Sequence, residues 1–212
     1  GGGAFSGSRL ESVIIPDSVR SIRNGAFSDC KQLTAINIPS SVEHIGDLAF
    51  AGCQKLMSIN VDKGNKEFCD LDGVLYSHDL SQVLSVPNGL AVVRIHDSAT
   101  TIKTGAFHGC NKLTELYIPS SVVNISQHEF GPCSKLETIA IPDVVANEGI
   151  FYYCDSNKPT SVTFSGSITH LGVTTLNWQN SLQTIVIPAS VQSIEEKAFL
   201  DCPLLKEIIV EE

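Results

Sequence analysis

The sequence predicts an α/β solenoid in which short repeats stack and their strands form a parallel β-sheet on the concave face. Three observations predict this fold class. One apolar pattern recurs along nearly all of the 212 residues, a proline follows the first apolar segment of most copies, and a cysteine ends most copies. Because one copy is too short to bury its apolar side chains alone, neighbouring copies must stack to share a core.

The repeat has a period of 23 residues. Its copies begin at Leu10, Leu33, Leu56, Leu90, Leu113, Leu136, Pro159, Leu182 and Leu205. All successive starts are 23 residues apart except Leu56 and Leu90, which are separated by 34. Counting the first residue as offset 0, apolar residues recur at offsets 0, 3, 5, 9, 12 and 17. Residues 1–212 are therefore predicted to be a single repeat domain.

The first segment of each copy is predicted to be a short β-strand. Offsets 3 and 5 are apolar and alternate with other residues, which is the period of two of a strand with one buried face. Proline at offset 6, as at Pro39, is expected to close the strand. Offsets 2 and 4 should then line the concave face, which comprises Ser12, Ile14, Ala35, Asn37, Ser58, Asn60, Val92, Arg94, Glu115, Tyr117, Thr138, Ala140, Ser161, Thr163, Thr184 and Val186.

The last segment of each copy, such as residues 25–30, carries an aromatic residue and a cysteine three residues apart. This spacing fits a single turn of α-helix or 3₁₀-helix on the side of the stack away from the sheet. Six of the seven cysteines belong to this repeat position, so their spacing follows the architecture and not a pairing scheme. We therefore expect buried, reduced thiols.

The long interval after Leu56 contains 11 additional residues. Two β-rich runs at about 72–87 flank a polar connection and predict a hairpin that projects from the solenoid edge. The insertion could have a binding role, or it could be only a repeat with a longer return path. Residues 70–73, Asp-Leu-Asp-Gly, begin like a calcium loop but lack a glutamate at the twelfth position, so we interpret them as a turn.

A second irregularity lies between Leu136 and Leu182. Phe151, Tyr152 and Tyr153 lie two residues before the position at which the period places the aromatic segment of the copy. Trp178 lies in the next copy, which has lost its proline and its cysteine. Exposed aromatic residues often anchor interfaces, so these four could form a ligand patch. They could equally fill the gaps that the missing phenylalanine and cysteine leave.

The unit Leu-x-x-Ile-x-Ile-Pro-x-Ser-Val-x-x-Ile-x-x-x-Ala-Phe-x-x-Cys occurs at residues 33–53 and 182–202. It resembles the 23-residue unit of the BspA-like leucine-rich repeat family, and the resemblance covers essentially the whole chain. It implies a right-handed leucine-rich-repeat stack in a secreted or cell-surface protein of bacteria, of a kind also found in some protozoa. Such proteins are associated with adhesion and with contact to a host or matrix. The resemblance implies no catalytic residues.

Charge and motifs argue against several classes of function. With 14 Lys and Arg against 23 Asp and Glu, the net charge of −9 argues against a nucleic-acid partner. No run approaches the roughly 18 to 20 apolar residues of a membrane-spanning helix, so we expect no membrane insertion. The six histidines lack metal-ligand spacing and no nucleophile motif is present, so we expect no metal, no cofactor and no enzymatic activity.

We predict a recognition or adhesion module that binds a protein or glycan, such as one of a host or extracellular matrix, and that is a monomer. The concave face should supply the contacts, because arginine and tyrosine dominate measured hot spots. The candidate partner-binding residues are Val92, Arg94, Glu115, Tyr117, Asn60 and Trp178. An extracellular or cell-surface location follows from the family resemblance. The alternatives are a structural spacer without a ligand and an intracellular protein-interaction scaffold.

Overall fold

The computed structural model describes residues 1–125, 130, 133–142, 160–165, 168–171 and 181–212. Regular structure within these residues consists of short β-strands. The strands are β1 (Ser21–Ile22), β2 (Ala35–Ile38), β3 (His44–Ile45), β4 (Ser58–Val61), β5 (Phe68–Leu71), β6 (Val74–Ser77), β7 (Gln82–Ser85), β8 (Val92–Arg94), β9 (Thr101–Ile102), β10 (Glu115–Tyr117), β11 (Asn124–Ile125), β12 (Thr138–Pro142), β13 (Ser161–Ser165), β14 (His170–Leu171), β15 (Thr184–Ile187), β16 (Ser193–Ile194) and β17 (Glu207–Val210).

The chain divides into two compact units. Unit 1 comprises residues 1–90 and 101–112, and unit 2 comprises residues 91–100 and 113–212. In both units, strands one repeat apart pair in parallel, with Ala35 opposite Ser58 in unit 1 and Glu115 opposite Thr138 in unit 2. Each such pair joins residues that are one period apart, so the repeats stack as a β-solenoid. The predicted parallel stacking is confirmed.

The first strands of the repeats have one buried and one outward side, except β17, whose four residues are all exposed. In unit 2 these strands form a six-stranded sheet in the order β17, β15, β13, β12, β10, β8, and in unit 1 β2 pairs with β4. Ile36 and Leu116, at offset 3, are fully buried, whereas Asn37 at offset 4 is exposed. The predicted register is confirmed in these strands with two exceptions: Ala140 at offset 4 is buried, and Ile208 and Val210 of β17, at offsets 3 and 5, are exposed. The strand expected at residues 13–15 is absent.

A turn and a second, two-residue strand follow the first strand. The proline at offset 6 begins the turn, and its carbonyl accepts a hydrogen bond from the amide three residues later, as from Val42 to Pro39 at 3.2 Å. The second strand then places the apolar residue of offset 12 in or beside the core, as Ile22 does in β1. Second strands also pair in parallel, with Ile22 opposite Ile45.

The prediction of a helical turn at the end of each repeat is wrong for the described part of the chain, which contains no helix. In residues 25–30 the amides alternate between two kinds of acceptor. Ala26 donates to the carbonyl three residues earlier in its own repeat, that of Arg23, at 3.0 Å, whereas Phe27 donates to Ala49 of the next repeat at 2.8 Å. Gly25 has a φ of 61°, in the left-handed region that a helix excludes. These segments are stacked turns, and we call their hydrogen bonds the turn ladder.

The 11-residue insertion forms antiparallel strands within unit 1. Residues Asp72 and Gly73, both at positive φ, join β5 to β6, so the turn that we predicted at residues 70–73 is limited to its last two residues. Strand β6 pairs with β7, and β7 pairs in parallel with β9. Leu75, Tyr76 and Val83 are fully buried, so these strands pack into the core where we expected a projecting hairpin.

The insertion also covers the edge of β4. Alternate amides of β4 point away from β2, and the insertion supplies their acceptors. The Ile59 amide donates to the Gly73 carbonyl at 2.9 Å, and the Val61 amide donates to Asp70 Oδ1 at 2.6 Å. Glycine is favoured at position 73, because its φ is 81° and a Cβ there would lie 3.0 Å from the Met57 carbonyl oxygen. The insertion therefore takes the place of a next first strand beside β4.

Candidate functional site

The outer face of β8 and β10 in unit 2 carries four of the predicted contact residues. Parallel pairing places Val92 beside Glu115 and Arg94 beside Tyr117. Val93 and Leu116, which alternate with them, are buried and hold both strands against the core. Side chains at these offsets must therefore point outward. Val92 is 47% exposed, and the structure brings these four residues together as one patch.

Two polar contacts organise this patch. The guanidinium carbon of Arg94 lies 3.6 Å from the centroid of the Tyr117 ring, which is a cation–π arrangement. The Tyr117 hydroxyl donates to Glu115 Oε2 at 3.3 Å. The phenol is thus held between a cation and a carboxylate, while the exposed guanidinium keeps donors available for an acidic group.

On β12, β13 and β15 the outer face of unit 2 is small and weakly polar. Thr138, Thr163, Thr184 and Val186 are half-buried on β12, β13 and β15. The Thr163 hydroxyl donates to the backbone carbonyl of Ile139 at 3.5 Å, so it is turned toward the sheet. The patch of β8 and β10 is therefore flanked by small, half-buried side chains.

Asn60 belongs to unit 1, where it extends an asparagine ladder. Its Nδ2 donates to Asn37 Oδ1 at 2.9 Å. The two asparagines line a groove of about 400 Å³ that Asp17 and Asp62 also border. Sequence reasoning placed Asn60 on the outer face but missed this acidic groove. The available signal was an aspartate at position 62, where most repeats have proline.

The other predicted ligand regions differ in how far the structure describes them. Trp178, Phe151, Tyr152 and Tyr153 lie outside the described residues. Asp79 holds the connection between β6 and β7 through three hydrogen bonds to its Oδ1. The Ser77 hydroxyl donates at 2.6 Å, the Ser81 amide at 3.0 Å and the Ser81 hydroxyl at 2.7 Å. These hydrogen bonds, that from Ser77 first, lower the pKa of Asp79 to about 2. The connection is therefore a locally bonded turn.

Within the described residues, no group of three or more His, Cys, Asp or Glu side chains could hold a metal ion. Helices long and apolar enough to cross a membrane are likewise absent from that part of the chain.

Solved structures of bacterial leucine-rich repeat proteins resemble this chain. A leucine-rich cell surface protein from Faecalibacterium prausnitzii is 29% identical, with a TM-score of 0.62; the match covers 96% of this chain and 54% of that protein. A leucine-rich repeat protein from Eubacterium ventriosum is 21% identical, with a TM-score of 0.59 and coverage of 93% and 66%. This chain thus spans about half to two thirds of their length. No curated protein matches it significantly.

The family model for the BspA type leucine-rich repeat region matches residues 1–73 and 87–212. The unmatched residues between these ranges contain β6 and β7 of the insertion. The match therefore covers the repeat units and β5, and omits the rest of the insertion. The chain belongs to the BspA-type leucine-rich repeat family.

Proposed function

We propose that this chain is a non-enzymatic recognition module of a cell-surface or secreted bacterial protein, and that it binds a protein or glycan through the outer face of β8 and β10. The observation that carries the proposal is the patch of Val92, Arg94, Glu115 and Tyr117, in which ring, cation and carboxylate are held together on an outward sheet face. The similar Faecalibacterium protein is described as a cell surface protein, which supports the location.

The geometry favours a partner that presents a carboxylate. Arg94 covers one face of the Tyr117 ring, so the guanidinium is the group that a partner meets first. Stacking on the ring restrains the arginine side chain and reduces the entropy that binding would cost. Val92 adds an exposed apolar contact beside it. An acidic protein surface or an acidic glycan has the complementary chemistry.

Arrays of extracellular-matrix proteins and of acidic and neutral glycans test the proposal. We expect at least one acidic component to bind the full chain, and the Arg94→Ala, Tyr117→Ala double variant to bind it at least fivefold more weakly, since about 1 kcal/mol is lost. The melting temperature should stay within a few degrees. Arg23→Ala, at an exposed arginine outside the patch, is the control and should bind as the wild type does.

Two outcomes would contradict the proposal. Absence of any bound component on the arrays would favour the structural spacer. Unchanged binding by the double variant, together with loss of binding on deletion of residues 77–82 or on Trp178→Ala, would move the site away from the sheet face.

A further inference from the structure

A groove of about 330 Å³ lies within unit 1, beside the turn segment of the repeat that begins at Leu33. One wall is formed by residues 46–51 of that segment. Leu84 and Ser85 of β7 and residues 103–105 also line the groove. The volume falls in the range of pockets that hold ligands.

The turn ladder is interrupted at this groove. In the preceding repeat, the amides of Gly25 and Phe27 donate to the carbonyls of Asp47 and Ala49, at 3.0 and 2.8 Å. The equivalent amides one repeat later are those of Leu48 and Phe50. Neither has a hydrogen-bond acceptor among the described residues. By the periodicity of the ladder, both amides face away from the preceding repeat and toward the groove.

The insertion explains the interruption of the turn ladder, and the ladder hydrogen bonds continue after the insertion, from Val86 onward. The Val86 amide donates to the Ala106 carbonyl at 2.8 Å, as the Phe27 amide does to Ala49. The thiol hydrogen bonds show the same correspondence between Val86 and Phe27. The Cys110 thiol donates to the Val86 carbonyl, and the Cys53 thiol donates to the Phe27 carbonyl. One set of inter-repeat bonds is therefore missing between the Phe50 and Val86 segments, and backbone donors without acceptors are costly wherever water is excluded.

We propose that this groove binds a short basic peptide segment of another protein, which takes the place of the missing ladder partner. Its carbonyls, two residues apart, would accept from the Leu48 and Phe50 amides, by the same logic as a peptide that adds to an open sheet edge. Glu43, Asp47 and Glu67 line the groove together with Lys103. Because Glu43 Oε1 lies 3.8 Å from Arg20 Nε, Asp47 and Glu67 supply the excess of carboxylates over Lys103, and this excess selects a segment with lysine or arginine side chains.

This site is separate from the sheet-face patch of the proposed function, because it lies in unit 1 and shares no residue with that patch. The probe is a synthetic peptide with the sequence of residues 103–109, Lys-Thr-Gly-Ala-Phe-His-Gly, because this segment already accepts from the ladder amide of Val86. It carries the lysine that the groove charge favours.

Amide hydrogen exchange, followed by NMR on the full chain, tests the proposal. Saturating peptide should slow exchange at Leu48 and Phe50 by at least tenfold, and leave the paired amides of Gly25 and Phe27 unchanged. Glu67→Lys, at an exposed carboxylate of the groove, should weaken peptide binding at least fivefold. Glu11→Lys, an exposed carboxylate outside the groove, is the matched control and should bind as the wild type does.

A variant that fills the groove, Ser85→Trp, should abolish binding if it folds, and Glu67→Lys carries the test if it does not. Unchanged exchange at Leu48 and Phe50 in millimolar peptide would overturn the proposal. So would equal affinity of the wild type and Glu67→Lys, because the peptide would then bind elsewhere or without charge selection.

Discussion

The recurring cysteines have a specific bonding role at the scale of single residues. The thiol of Cys30 donates to the Phe5 carbonyl at 3.1 Å, and that of Cys53 to the Phe27 carbonyl at 3.0 Å. Each thiol therefore satisfies a backbone acceptor of the preceding repeat while filling the core. The phenylalanine rings stack alongside, and the ring centroids of Phe27 and Phe50 lie 6.0 Å apart.

Cys53 should make the protein sensitive to alkali. Burial raises the pKa of Cys53 from 9.0 to about 12. Because the unfolded thiol ionises near pH 9 and the folded thiol does not, folded stability is retained below pH 9 and is lost as the pH rises from about 9 toward 12. Denaturant titrations at several pH values should show a steeper loss of unfolding free energy in the wild type than in Cys53→Ala. Parallel pH profiles for the two proteins would refute this role.

At the scale of elements, Asn65 attaches the insertion to the preceding repeat. It is 1% exposed. Its Nδ2 donates to the carbonyls of Pro39 and Val42, at 3.0 and 2.9 Å, and its Oδ1 accepts from the amides of Glu67 and Phe68, both at 2.9 Å. The side chain thus joins a proline turn to the start of β5.

Removing this side chain should cost much more than removing an exposed asparagine. Asn65→Ala removes four hydrogen bonds and leaves the Val42 carbonyl and the amides of Glu67 and Phe68 without this partner, while the Pro39 carbonyl keeps the Val42 amide, so we expect a loss of about 2–4 kcal/mol in unfolding free energy. Asn60→Ala removes one exposed hydrogen bond and should cost less than about 1 kcal/mol. Urea unfolding of both variants measures the difference. Similar losses in the two would show that the Asn65 contacts do not stabilise the insertion.

At the scale of the whole molecule, a repeat protein is stabilised mainly by contacts between neighbouring repeats. Ile36 in unit 1 and Ile185 in unit 2 occupy the same offset and are both buried. Replacing either with aspartate places an unpaired carboxylate in the core, which costs several kcal/mol. The loss of structure should concentrate in the unit that carries the substitution.

Hydrogen exchange measured by mass spectrometry distinguishes local from global loss. Ile36→Asp should increase exchange in β2 and β4 and leave β13 and β15 protected, and Ile185→Asp should do the reverse. If both variants expose all four strands equally, the chain unfolds as one cooperative body and the division into two units has no thermodynamic meaning.

The sequence by itself determined the period, the parallel register and the buried side of the first strands, except at residues 13–15, which form no strand, and in β17, which is exposed. These follow from local periodicity, because Ile36 and Ile38 are buried for the same reason as their equivalents in the next repeat. It also placed Arg94 and Tyr117 on one face, since equal offsets align in a parallel stack. Their function as a binding patch stays a prediction.

Only the tertiary structure decided the turn ladder, the position of the insertion and the stacking of Arg94 on Tyr117. The residues after Gly25 have the spacing of a helical turn, yet their alternate amides bond to carbonyls of the next repeat, and no local pattern shows which carbonyls lie opposite. The insertion was visible as 11 additional residues. Its burial depends on the open edge of β4, which exists only after the repeats have stacked.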